Sequence, residues 1–159
     1  MTKVYLAHSI ATKAEAEDSI RVANELRKLG YDVYAAAENK TINDKTNEPT
    51  PTDIYIHDTE AINNCDIFVV NLNGGSQDGT ISEIGYVAGL NENREYIPKP
   101  IIAYTSNARL LNTQTHDGLA SASVNHLVLG MISIWGLFLG EEAEMLRWLE
   151  DGKWVFEND

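Results

Sequence analysis

At 159 residues the chain has the length of one domain, residues 1–159, and can bury enough apolar surface to fold without a disulfide or a structural metal. Its formal net charge of −12, from 24 acidic and 12 basic residues, opposes contact with nucleic-acid backbones and with ligands carrying several phosphates, whereas neutral small molecules meet no such penalty. The lone cysteine, Cys65, excludes an internal disulfide and reads as a buried structural thiol in a reducing compartment. No signal peptide opens the chain and no apolar run reaches the ~20 residues that span a bilayer, so a cytoplasmic protein without membrane contact is expected.

The first predicted element is a short buried strand, Val4-Tyr5-Leu6-Ala7. A helix follows from about Lys13 to Leu29, with Ile20, Ala23, Leu26 and Leu29 at helical spacing and Gly30 as its C-terminal stop. Tyr31 to Ala37 is strand-like. The polar stretch from Glu38 to about Pro51 offers few core anchors and is expected to be an irregular loop, free or covering something. Pro51-Thr52-Asp53 opens a helix whose apolar stripe is Ile54, Ala61 and Ile62. Asp66 to Leu72 is apolar almost throughout, as in a strand covered on both faces. After Asn73–Gly79 a helix is predicted from about Thr80 to Leu90, then a strand at Pro100–Tyr104. Leu127–Leu139 reads as a buried apolar helix, a candidate subunit contact, and Trp154-Val155-Phe156 as a final strand. Strands alternating with helices predict an α/β three-layer sandwich around a four- or five-stranded parallel sheet, flavodoxin-like or Rossmann-like. Ligands in such folds sit beyond the carboxyl ends of the strands, which singles out Ala7–Ile10, Glu38–Pro51 and Asn71–Glu83.

Three carboxylates fall in or next to these segments. Asp58 lies four residues after Ile54 and four before Ile62, so it should face the sheet, where a carboxylate is costly unless partnered. Asp78 and Glu83 flank the start of the helix after the central strand. Spacing alone leaves two readings of Glu83: a catalytic group, or the last member of a Thr80-Ile81-Ser82-Glu83 capping box. Asp78 likewise fits a turn before Gly79. His8, His57, His116 and His126 are too scattered to form a metal site, and neither a Walker nor a dinucleotide fingerprint is present, so no metal and no cofactor are expected.

Tyr5, Asp58 with Ile62-Asn63-Asn64-Cys65-Asp66-Ile67, and Asp78-Gly79-Thr80-Ile81-Ser82-Glu83-Ile84-Gly85-Tyr86 together resemble the nucleoside 2-deoxyribosyltransferase family over most of the chain to about Tyr104. The resemblance implies Glu83 as nucleophile, Tyr5 as the phenol that orients it, and Asp58 and Asp78 as contacts to the nucleoside; a departing base leaves better when protonated, which makes a nearby carboxylic acid such as Asp78 the expected donor. The resemblance further implies Asn125 as a group lent by a neighbouring subunit, Ser9 and Gly79 at the substrate, and a homo-oligomer, dimer to hexamer. The expected partners are a 2′-deoxynucleoside and a free purine or pyrimidine base. The implied chemistry is exchange of the base through a covalent deoxyribosyl ester, with retention. Two alternatives stand beside it. A deoxynucleoside 5′-monophosphate N-glycosidase would be expected to carry Gly-Ser-Ile-Arg after the first strand; here the segment is His8-Ser9-Ile10-Ala11, which keeps the serine and lacks the arginine. A non-enzymatic nucleoside sensor would need the pocket without needing Tyr5 and Glu83 together.

Overall fold

In the computed structural model, which describes residues 1–73, 77–93, 95–112, 115–117, 119–120 and 124–152, five parallel strands form one sheet. The elements in chain order are β1 (Lys3–Ala7), α1 (Lys13–Lys28), β2 (Asp32–Ala35), α2 (Lys40–Asn43), α3 (Pro51–Asn64), β3 (Ile67–Asn71), α4 (Asp78–Glu92), β4 (Ile101–Tyr104), α5 (Ala108–Leu111), β5 (Thr115–His116), β6 (Leu119–Ala120), α6 (His126–Trp135), β7 (Gly136–Phe138) and α7 (Glu142–Glu150). The large sheet has the order β2-β1-β3-β4-β7, and β5 pairs with β6, antiparallel. Direction of winding reverses between β1 and β3, which opens a crevice at their carboxyl ends.

Alternation along the strands builds the three layers. Val4, Leu6, Ile67, Val69, Ile102 and Tyr104 turn to one face and pack against Val22, Ala23 and Leu26 of α1 and Met145 and Leu149 of α7. Tyr5, Ala7, Phe68, Val70, Ile101 and Ala103 turn to the other, under Ile62 of α3, Ile84 and Val87 of α4, and Val128 and Ile132 of α6. The expected sandwich is therefore present, with α1 and α7 on one side and α3, α4 and α6 on the other. Arg21 ties the first pair together, donating to both Glu142 carboxylate oxygens at 2.8 and 2.6 Å.

Local chemistry fixes the helix ends. Thr12 and Glu15 form a reciprocal capping box on α1, Thr50 and Asp53 form another on α3 with Pro51 in its first turn, and Gly30 takes the left-handed conformation just past α1. Cys65 is buried, as expected, and burial pushes its thiol up to about 11.

Several boundaries differ from the sequence reading. In α1 the buried stripe is Ser19, Val22, Ala23 and Leu26, and Ile20 is only half-buried. Ile54 is exposed, so Asp58 shares its inward face with Ile62 alone. The Glu38–Pro51 stretch is not irregular: it contains α2 and a turn of 3-10 helix, and Ile42 anchors it by burial. Leu127–Leu139 is not one buried helix. It breaks at Gly136, where the chain enters β7 so close to β4 that a Cβ would collide with the Ile101 carbonyl, and Leu127, Leu129 and Ile134 are exposed on α6. The fifth strand of the sheet is thus Gly136–Phe138; the Trp154–Phe156 segment, like Gly74, Gly75 and Ser123, lies outside the described residues. Among the described residues no helix is long and apolar enough to cross a membrane.

Candidate active site

A cavity of about 300 Å³ opens at the carboxyl ends of β1 and β3, the place that the sheet order designates for a ligand. Its wall is the loop His8–Ala11 on one side, Asp58 of α3 on another, and Gln77–Thr80 with Glu83 of α4 on the third. A second hollow of about 260 Å³ lies at the opposite edge, against the first residues of β1 and β2, where doubly wound folds do not hold ligands.

Helix α4 starts at Asp78, two residues before the sequence reading placed it. Glu83 is consequently in the second turn and caps nothing, and the first-turn acid is Asp78. The exit from β3 is organised instead by Gln77, whose amide accepts from the Asn73 N–H at 2.8 Å and donates to the Asn71 carbonyl at 3.1 Å. The buried stripe of α4, through Thr80, Ile84 and Val87, carries Glu83 on its sheet-facing side. There the Tyr5 hydroxyl donates to Glu83 Oε1 at 2.7 Å from the middle of β1. Tyr5 is wholly buried, stacked between Tyr34 (5.2 Å between ring centres) and Phe68 (5.5 Å), so its phenol has little freedom to leave the carboxylate.

Electrostatics around this pair are set by burial. Removal from water pushes Glu83 up to about 7, the Tyr5 hydrogen bond opposes the rise, and the nearby Asp58 charge adds to it. Burial likewise raises Asp58, against the hydrogen bond from Tyr34 and the neighbouring His57. Tyr5, desolvated and beside Glu83 and Asp58, is raised far above the ordinary phenol range and is a fixed donor. A helix N-terminus does not keep Glu83 acidic, because the dipole fades beyond the first turn and desolvation outweighs it.

The structure brings Tyr5, Ser9, Asp58, Asp78, Gly79 and Glu83 to this one place. Ser9 is buried in the cavity wall. Asp78 is exposed at the rim, whereas Asp58 is half-buried and burial favours its protonated form. A Cβ on Gly79 would touch nothing within 4 Å, which leaves that stretch of backbone open to a ligand. Asn125 is not brought in: it is exposed, outside the cavity, and its side chain caps α6 by accepting from the Leu127 N–H at 2.9 Å.

Two residues of the site went unread in the sequence. Tyr34 donates to Asp58 Oδ1 at 3.0 Å and sits beside Tyr5 because the two are register partners on adjacent strands. That register, combined with the shared spacing from each strand's start, is the signal that could have found it. His8 carries no functional signature in the sequence. It is buried in the wall, with Nδ1 2.6 Å from the Ser9 carbonyl and Nε2 3.0 Å from Asp18, and so fixes the loop that carries Ser9.

The sequence model of the family described as nucleoside 2-deoxyribosyltransferase matches residues 4–133. Among solved structures, a conserved protein from Enterococcus faecalis V583 superposes with a TM-score of 0.77 at 24% identity, over 96% of this chain and 99% of that one. A 2-deoxyribosyltransferase from Bacillus psychrosaccharolyticus gives 0.65 at 19% identity, over 98% and 93%. A CMP N-glycosidase from Clostridium botulinum gives 0.59 at 20% identity, over 95% and 99%. These structural likenesses establish the fold. No curated protein matches the chain in sequence.

Proposed function

Because the chain belongs to the nucleoside 2-deoxyribosyltransferase family, we propose that it exchanges the base of 2′-deoxynucleosides, a step of nucleoside salvage in the cytoplasm, through a covalent intermediate on Glu83. The observation that carries this reading is the buried 2.7 Å bond from the Tyr5 hydroxyl to Glu83 at the edge of a nucleoside-sized cavity. A glutamate used only for capping or solubility would not be desolvated and clamped by a buried phenol.

In this mechanism ionised Glu83 attacks the anomeric carbon, the C1′–N bond breaks, and its electron pair leaves with the base. The departing base takes a proton from Asp58, the half-buried acid; exposed Asp78 contacts the nucleoside at the rim. A second base then attacks the deoxyribosyl ester, returns a proton to Asp58 and frees Glu83, with retention at C1′ after two inversions. Ser9 and the Gly79 backbone line the sugar's surroundings. The charge of the cavity favours an unphosphorylated substrate: among the described residues its lining holds Asp58, Asp78 and Glu83 and no lysine or arginine, so a 5′-phosphate would meet three carboxylates. The alternative, an N-glycosidase that passes the sugar to water, uses the same groups.

The exposed apolar residues Leu127, Leu129 and Ile134 of α6, with Ile54, Tyr55 and Ile56 of α3, support assembly as a homo-oligomer, dimer to hexamer, in which Asn125 at the start of α6 reaches a neighbouring site.

Incubation with deoxyinosine, with and without adenine, tests the reaction. Deoxyadenosine should form, and free deoxyribose should stay far slower; deoxyribose released at full rate without adenine would instead establish the hydrolase. A 2-fluoro-2-deoxy-arabinosyl nucleoside should leave a mass adduct on the peptide containing Glu83, and a missing adduct would turn the reading to a sensor.

A further inference from the structure

The hydrogen bonds behind Asp58 have a direction that can be read from an unambiguous end. The backbone N–H of Thr41 can only donate, and it meets Asn39 Oδ1 at 3.2 Å. That fixes the Asn39 carboxamide, so Nδ2 is the atom that donates to the Tyr34 hydroxyl oxygen at 3.1 Å. Tyr34, already accepting, must send its own proton onward, to Asp58 Oδ1 at 3.0 Å. Oδ1 is therefore occupied as an acceptor. No bond from the described residues reaches Oδ2, so Oδ2 is the better placed of the two oxygens to carry a proton, on a residue that lines the cavity.

We propose that Tyr34, locked by Asn39, is a positioning residue that presents Asp58 to the substrate with Oδ2 as its preferred proton-bearing oxygen, the one that protonates the departing nucleobase. This rests on the base-exchange reading above and adds to it a role for residues that do not touch the substrate. The proton moves from Asp58 Oδ2 to a ring nitrogen of the base as the C1′–N bond breaks, and the incoming base returns it, so the cycle closes without a co-reactant. Fixing the acceptor oxygen removes half of the rotamer and protonation states that an untethered carboxyl would sample before each transfer. The arrangement also couples the segment leading into α2 to the acid, since Asn39 caps that helix.

The groups facing Asp58 are Tyr5 of β1, Tyr34 of β2, Glu83 of α4 and His57 of its own helix. Of these, only Tyr34 donates a hydrogen bond to Asp58. Tyr34→Phe in the full chain keeps the ring stacked on Tyr5 and removes that donor alone. Carboxyl-carbon NMR of the free protein should then show Asp58 titrating about one pH unit higher, because the lost bond had stabilised its anion. Turnover of a deoxynucleoside should fall about 10-fold in kcat with KM changed less than about 2-fold. Single-turnover release of nicotinamide from nicotinamide 2′-deoxyriboside, whose base leaves neutral and needs no proton, should lose nothing. Asn39→Ala should shift Asp58 and kcat in the same directions by less, and serves if the tyrosine variant fails to fold. An unchanged Asp58 titration in the folded variants, or an equal loss with the nicotinamide substrate, overturns the proposal. A parent protein that cleaves no glycosidic bond at all would sink the base-exchange reading, while the titration would still decide whether Tyr34 governs Asp58.

Discussion

Replacing Glu83 by glutamine should destroy activity and strengthen the fold, and the size of the second effect follows from the site. Burial raises the Glu83 carboxyl from its ordinary 4.5 to about 7. At about 1.4 kcal/mol per pH unit, that gap makes ionised Glu83 cost the native state roughly 3 kcal/mol, or nearer 2 where cavity water reaches the carboxylate. The sign follows from proton binding. Between the unfolded value and about 7 the native state binds the extra proton, so stability contributed by neutral Glu83 is present below 4.5 and is lost as pH rises through 7. Glutamine keeps an oxygen for the Tyr5 hydroxyl and never ionises. Urea unfolding at pH 8.5 and fixed protein concentration should therefore show Glu83→Gln more stable by about 2–3 kcal/mol, or about 5–10 °C in Tm, and the gain should fall below about 1 kcal/mol at pH 5. Base exchange should be lost at both values. A variant no more stable at pH 8.5 than the parent would refute a desolvated carboxylate at this position, and undiminished turnover would refute its role as nucleophile.

Tyr5→Phe removes the hydrogen bond that opposes the rise of Glu83, so the acid limb of kcat/KM should move above pH 7 and activity should fall more at pH 6 than at pH 9; a parallel loss across pH would contradict this. Gly136→Ala drives a methyl into the Ile101 carbonyl and should cost several kcal/mol or detach β7, read as a large drop in the urea midpoint; wild-type stability would show that β7 does not approach β4 so closely. Leu127→Asp with Ile134→Asp places charge on the exposed face of α6 and should convert an oligomer to monomers in sedimentation with loss of activity, whereas a fully active monomeric parent would refute shared sites.

What could be read from sequence was whatever depends on local period. The apolar run at Ile67–Asn71 and the helical spacing around Ile62 gave the layers, and Asp58 was seen to face inward although Ile54, half of the reason for it, turned out to be exposed. Misreadings occurred where a local pattern competed with a distant contact. Thr80-Ile81-Ser82-Glu83 has the spacing of a capping box, yet Gln77 orders the turn by bonding Asn71 and Asn73 and the helix begins at Asp78. Gly136 was one residue in an uncharged run until pairing with Ile101 made it the start of a strand. Tyr34 acquires meaning only through its register beside Tyr5, which no single segment encodes.

The position of Glu83 one turn inside α4 decides what kind of nucleophile it can be. In the first turn, four unpaired backbone N–H groups and the dipole would have held it acidic, fully ionised and weakly basic. In the second turn that support is gone, and burial leaves it about half protonated near pH 7. Such a carboxylate is scarcer but more basic, and it rests beside Asp58 in a cavity whose described lining holds no lysine or arginine. In the proposed reaction positive charge develops at C1′ between these two groups. The transition state then places positive charge between two carboxyl groups, so the attraction grows as the glycosidic bond breaks, and energy that burial costs the free enzyme is recovered where it lowers the barrier.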